Sequence, residues 1–199
     1  MLILIRAVQG ERDEYIAYLQ KHLPEGEFVF DTTRNAMDTF LTAMKRAGTR
    51  PCVHMEEDIY ITKNFIKKLE SAINERPNEV IQFFSMRKAD IEVGSRYDYG
   101  RSFIANLCVY LPAGYSKAIY NYYPEWPRKE EHPTGSDLMI ADWLKERKEK
   151  YYIHVPNLVQ HRKCKSLVNS RRSWFRQSLT FTEGIECEWQ LIIPRSIKS

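Results

Sequence analysis

The sequence predicts an α/β domain, a mostly parallel sheet flanked by helices. Short apolar runs alternate with stretches whose apolar residues recur at helical spacing, and Pro or Gly punctuates the joins. The 43% hydrophobic share of 199 residues supplies one core of ordinary domain size and not two.

Residues 2–8 form an apolar run that reads as a first strand and ends at Gln9 and Gly10. Tyr15, Ile16, Tyr18, Leu19 and Leu23 then fall on one helical face over residues 11–23. Pro24 and Gly26 break that helix, residues 27–30 read as a second strand, and Asp31 or Thr33 caps a helix through residue 47. Residues 51–55 are a third strand, interrupted by Glu56, Glu57 and Asp58. Thr62 then caps a helix carrying Phe65, Ile66, Leu69 and Ile73. Residues 80–84 read as a fourth strand, and residues 86–103, rich in charge, Gly and Tyr without clear period, as a long functional loop or small insertion. A strand over 104–111, helices over 112–122 and 134–150, and a last strand over 151–155 complete the chain's regular elements. Such alternation implies right-handed β-α-β crossovers, and in such sheets ligands bind at the carboxyl ends of the strands.

Several function classes are excluded. No apolar run approaches the roughly 18–20 residues needed to cross a bilayer. The first residues lack a basic leader and a small-residue cleavage site, so the expected compartment is the cytoplasm. Cysteines 52, 108, 164 and 187 form no C-x-x-C pair and read as reduced thiols without a nucleophile motif. Neither G-x-G-x-x-G nor a P-loop occurs, and His22, His54 and His132 have no ligand spacing.

The formal charge of +4, from 30 Lys and Arg against 26 Asp and Glu, is unevenly spread. Residues 151–182 contain no acidic residue, while Arg162, Lys163, Lys165, Arg171, Arg172 and Arg176 lie among them with Trp174 and Phe175. Cations interleaved with aromatics suit a phosphate backbone and a stacked base, or a loop folded over a diphosphate.

Glu56, Glu57 and Asp58 stand at the carboxyl end of the third strand, where three adjacent carboxylates repel one another unless a cation compensates. Strand alternation places Glu56 and Asp58 on one side, within reach of one divalent ion, Mg²⁺ or Mn²⁺. An acidic turn before a helix N-terminus accounts for the same residues without a metal.

The run VHMEEDIYITKNFIKKL, an apolar strand ending in an acidic triplet followed by a Phe-bearing helix, resembles metal-dependent glycosyltransferases of the Rossmann-like GT-A fold. The nearest likeness is to small bacteriophage-encoded and lipooligosaccharide-type enzymes. PTGSDLMIADWL and YYIHVPNLVQHRKCKSLV are similar to the later half of those enzymes. The triplet reads Glu-Glu-Asp where an aspartate pair is usual.

The resemblance implies transfer of a sugar from a nucleotide-sugar donor, UDP-linked by preference, to a hydroxyl acceptor. It implies a metal on Glu56, Asp58 and His161, and Asp137 at a helix start as acceptor contact or general base, with Glu130 and Glu131 offering the same role. Arg6, Ala7, Val8 and Arg12 after the first strand, Asp31 and Arg34 after the second, Glu56 and Glu57, and Lys165 would hold the donor. The segment 161–199 is expected to close over the site of a single domain spanning residues 1–199. The acceptor expected from the basic segment is a hydroxymethylated pyrimidine in DNA, gripped by Arg162, Lys163, Arg171, Arg172, Trp174 and Arg176. A glycan acceptor, or a non-catalytic nucleic-acid-binding protein on a degenerate GT-A scaffold, are the alternatives.

Overall fold

The computed structural model describes residues 1–100, 103–164, 166–167 and 176–182. Its elements run β1 (Leu2–Ala7), α1 (Asp13–His22), β2 (Glu27–Phe30), α2 (Ala36–Ala47), β3 (Cys52–Glu56), β4 (Ile59–Ile61), α3 (Phe65–Glu75), β5 (Ile81–Gln82), α4 (Ala89–Val93), β6 (Arg96–Tyr99), β7 (Cys108–Leu111), α5 (Tyr115–Tyr122), α6 (Ser136–Glu146), β8 (Lys150–Ile153) and β9 (Val159–His161). Seven strands form one sheet in the order β2-β1-β3-β7-β5-β8-β6. β1 pairs in parallel with β2 and β3, and β5 with β8, while β7 and the edge strand β6 run against their neighbours. The result is a Rossmann-like α/β domain.

Strand alternation sorts the core into two layers. Ile3 and Ile5 of β1 and Val53 and Met55 of β3 pack with Leu19 of α1 and Leu69 of α3. On the opposite face, Val109 and Leu111 of β7 and Tyr151 and Ile153 of β8 pack with Phe40 of α2, Ile119 of α5 and Leu144 of α6. His54 points into that second face, fully buried, with Nε2 3.0 Å from Ser116 Oγ. Burial and the charge of Arg6 push its pKa down to about 3, so it is a neutral core residue.

The stretch over 86–103, expected as a long functional loop or small insertion, contains α4 and β6, too short and too polar to show a period. Three expectations are corrected. The strand expected last is followed by β9, which pairs antiparallel with β4 in a separate two-stranded ladder. Thr62 does not cap α3: Asn64 precedes it with φ of 58°, and the Thr62 hydroxyl instead accepts from Lys68 Nζ at 3.1 Å. The cap of α2 is Asn35, whose side chain accepts from the Met37 amide at 3.0 Å. No described helix is long and apolar enough to cross a membrane.

Candidate metal centre and active site

The site grows from the carboxyl ends of the two adjacent parallel strands β1 and β3. Their register sets Arg6 opposite Glu56, and Arg6 Nη2 donates to Glu56 Oε1 at 3.0 Å and to the Asn106 carbonyl at 3.1 Å. The β3 ladder stops at Glu56, so alternation no longer governs the two residues after it. Glu57 and Asp58 both turn to Arg12, whose Nη1 lies 2.7 Å from Glu57 Oε1 and 2.7 Å from Asp58 Oδ2. The expected sharing of one side by Glu56 and Asp58 is therefore replaced by a division between two arginines. Arg6 holds the first carboxylate, Arg12 the other two.

The β4-β9 ladder supplies the rest. Ile59 is paired with His161, which carries the imidazole to the residue just before β4, and His161 Nε2 stands 3.4 Å from Asp58 Oδ2. The Arg162 amide donates to the Asp58 carbonyl at 2.8 Å, and a tight turn with the Cys164 amide on the Arg162 carbonyl folds the chain back. Cys164 Sγ then lies 3.9 Å from Asp58 Oδ2. Ligand atoms of Asp58, His161 and Cys164 all fall within 4.8 Å of one another. Glu56 is not in that cluster.

These groups are strongly perturbed. Burial alone would raise the Asp58 carboxyl, but the hydrogen bond and charge of His161, with Arg12, outweigh it and hold the pKa at about 2. Glu57, buried and beside the Asp58 charge, is pushed up to about 7 despite Arg12. One guanidinium serves two carboxylates, so the proton of the pair resides on Glu57 as pH falls. Burial pushes the Cys164 thiol up to about 11, with Asp58 adding to the effect. Glu56 keeps 28% of its side chain exposed. Burial raises its carboxyl pKa, Arg6 opposes that, and Asp58 adds to it.

The third wall is the N-terminus of α6. Asn106 Nδ2 donates to Ser136 Oγ at 3.0 Å, and Asp137 accepts from the Ala105 amide at 3.1 Å and the Leu138 amide at 3.0 Å. Ala105 has φ of 61°, a left-handed backbone that an L side chain rarely adopts. Such strain is held only where surrounding bonds over-determine it, and here Asp137 and Arg6 grip the strained turn from either side.

The remaining expected site residues scatter more widely. Ala7 is buried, Val8 half-buried. Asp31 caps its own turn, accepting from the Thr33 amide at 3.0 Å, and Arg34 pairs with Glu11 at the surface. Glu130, Glu131 and Lys163 are exposed. The Arg162 guanidinium lies over the rings of Tyr15, Tyr18 and Tyr60, at 4.3, 4.7 and 4.0 Å from their centroids. Arg176 is half-buried and near enough to favour the ionised form of Glu56. Gln177 Nε2 donates to the His161 carbonyl at 2.9 Å, and Gln160 exchanges two bonds with the Ser178 backbone, so residues 176–182 run beside β9. Lys165, Arg171, Arg172 and Trp174 lie outside the described residues.

Sequence reasoning missed Cys164, Asn106 and Ser136. The first carried a signal, since His161 and Cys164 are spaced H-x-x-C. The other two are joined to each other by a side-chain hydrogen bond across about thirty residues, and Asn106 meets Arg6 through its backbone carbonyl, contacts that no spacing announces. No family model matches the chain, and no curated protein matches it.

Proposed function

We propose that this protein is a metal-dependent glycosyltransferase that moves a sugar from a nucleotide-sugar donor to an acceptor hydroxyl. The observation that carries the reading is the convergence of Asp58 and His161, at 3.4 Å, on the carboxyl edge of a Rossmann-like sheet. The side chains suit a cation there. Asp58 and His161 are buried, and among the described residues Asp58 Oδ1 has no hydrogen-bond partner. An orphaned, buried carboxylate oxygen is costly unless something binds it.

Asp58 and His161 would hold the ion. When bound, it would supply Lewis-acid neutralisation of the charge that develops on a departing nucleoside diphosphate. Glu56 is the carboxylate of the triplet that retains solvent access, with its orientation fixed by Arg6, so it is the one free to contact a bound donor. Asp137 accepts the acceptor's proton, on a carboxylate aimed by the Ala105 and Leu138 amides. Arg162 lies over the rings of Tyr15, Tyr18 and Tyr60, and the charge of Arg176 acts on Glu56, which favours a donor-side role over an external phosphate backbone for these two basic residues.

The test is release of nucleoside diphosphate from a panel of UDP-sugars with Mn²⁺, Mg²⁺ or Zn²⁺. Acceptors would be duplex DNA containing hydroxymethylated pyrimidine and, separately, simple glycans. Metal-dependent release that Asp58→Ala abolishes is the expected result. Absence of both donor binding and release with every metal would sink the reading. Product on modified DNA assigns the acceptor to the DNA base, and product on glycans alone removes DNA.

A further inference from the structure

We infer that Cys164 is a metal ligand, and that the ion held with Asp58 and His161 is a thiophilic one of the Zn²⁺ and Co²⁺ class in preference to Mg²⁺. The inference rests on the reading that this edge of the sheet holds a cation, and it changes both the ligand set and the ion.

Geometry comes first. Zn²⁺ bonds to carboxylate oxygen, imidazole nitrogen and thiolate sulfur of about 2.0, 2.0 and 2.3 Å, set at tetrahedral angles, require oxygen–nitrogen and oxygen–sulfur separations of about 3.3 and 3.5 Å. The structure has Asp58 Oδ2 at 3.4 Å from His161 Nε2 and 3.9 Å from Cys164 Sγ. Both fit after a shift of a few tenths of an ångström. Mg²⁺ takes oxygen ligands in near-ideal octahedra, and a sulfur and an imidazole are a poor offer to it.

Charge points the same way. Arg12 is anchored on Glu57 as well as on Asp58, at 2.7 Å each, so a divalent ion arrives beside a guanidinium that has another partner and stays. Asp58 alone would leave that ion with an uncompensated charge next to Arg12. A thiolate balances it. As the metal bonds form, the Cys164 S–H bond breaks and any proton on His161 Nε2 is displaced, both protons leaving to solvent with no oxidant or reductant involved. A second observation stands beside the cluster: among the described residues, the buried Asp58 Oδ1 has no hydrogen-bond partner, so the carboxylate that His161 and Cys164 approach still has an oxygen to offer.

The spacing fits a folded device. His161 closes β9 and Cys164 returns on the next turn, so two ligands come from one short segment and the third from the far side of the β4-β9 ladder. Ion binding would tie the segment after β9 to the end of β3.

The experiment is a Co²⁺ titration of the full chain followed by absorption, with Zn²⁺ and Mg²⁺ as competitors. A near-ultraviolet sulfur-to-cobalt charge-transfer band is expected, displaced by stoichiometric Zn²⁺ and untouched by a large excess of Mg²⁺. It should vanish in Cys164→Ser, with affinity lowered by at least the roughly 10–100-fold that loss of an outer-shell partner costs, and persist in Cys187→Ser, which separates this thiol from the one outside the described residues. Far-ultraviolet circular dichroism verifies that Cys164→Ser is folded, and Asp58→Asn, which keeps the thiol, should weaken binding while retaining any residual sulfur band. Binding of Co²⁺ without that band and unchanged in Cys164→Ser overturns the role of Cys164 and leaves a cation on Asp58 and His161. No binding of Co²⁺, Zn²⁺ or Mn²⁺ overturns both.

Discussion

Asp58 and Asp90 are both buried aspartates held by an arginine, yet they are built for different ends. Asp90, in α4 beside the edge strand, accepts from Arg96 Nη1 at 2.8 Å, and its second oxygen has no partner among the described residues. Asp58 has the same pattern with Arg12, at 2.7 Å, and an equally orphaned second oxygen. Burial and an orphaned oxygen by themselves therefore do not mark a site, and at Asp58 they count only together with the donors around it. What differs is the company: Arg12 is shared with Glu57, and His161 and Cys164 converge on Asp58 from another ladder. A one-to-one pair pins a loop to the sheet, whereas crowded carboxylates beside nitrogen and sulfur donors leave an interaction still to be made.

The largest effect should come from removing the arginines. Arg12→Met leaves two buried carboxylates without their cation and should cost about 3–5 kcal/mol of unfolding free energy. Arg96→Met strands one, and should cost about 1–3 kcal/mol. Urea denaturation in the presence of a chelator measures both. Equal losses would erase the difference between the two clusters.

The next contrast is chemical. Asp58→Asn should lower metal-dependent donor cleavage at least about 100-fold, equivalent to about 2.7 kcal/mol of barrier. Asp90→Asn should leave it within about twofold, once both proteins are shown to be folded. Rates of nucleoside diphosphate release decide it, and a large loss at Asp90 would move the active site away from β3.

Much of this architecture was legible in the sequence because burial has a period. β2 is found at the residues its apolar run marks, and β1, β3 and α1 lie within a residue or two of theirs. The acidic triplet was legible for the opposite reason, since charge straight after an apolar strand must be compensated. The partition of that triplet was not. Alternation holds only while a ladder continues, and β3 stops at Glu56, so which arginine takes which carboxylate depends on where α1 puts Arg12. β9 stayed hidden because a three-residue strand has almost no pattern. With it went the reason that Cys164, remote in sequence from Asp58, comes beside it.

Glu57 and Asp58 sharpen the comparison through pH. Glu57 has a native pKa of about 7, above the 4.5 of an unperturbed glutamate. Between those values the native state binds more protons than the unfolded state, so this group's contribution to stability is complete below about 4.5 and is lost as pH rises through about 7. Asp58, lowered from 3.8 to about 2, does the reverse: its contribution stands above the unfolded value and is lost as pH falls toward about 2. Glu57→Gln, measured against wild type in metal-free buffer, should remove the decline between about pH 4.5 and 7 and leave the acid limb in place. A difference that is flat across that window would mean that Glu57 does not carry the proton of the pair.

The smallest effect belongs to a third aspartate, half-buried and paired with no arginine among the described residues. Asp137 commits its two oxygens to backbone amides, those of Ala105 and Leu138. Asp137→Ala should cost about 1 kcal/mol, as is usual for a lost helix-terminal acceptor. Amide exchange should speed up at Ala105 more than across the rest of the loop, because that residue's left-handed backbone depends on the bond. Asp137→Asn retains an acceptor and should keep most of the protection while losing the capacity to take a proton. The pair of variants thus divides the two duties of one carboxylate. Unchanged Ala105 exchange in Asp137→Ala would show that the strained turn is held from the Arg6 side alone, through the Asn106 carbonyl, and would leave Asp137 free of structural work.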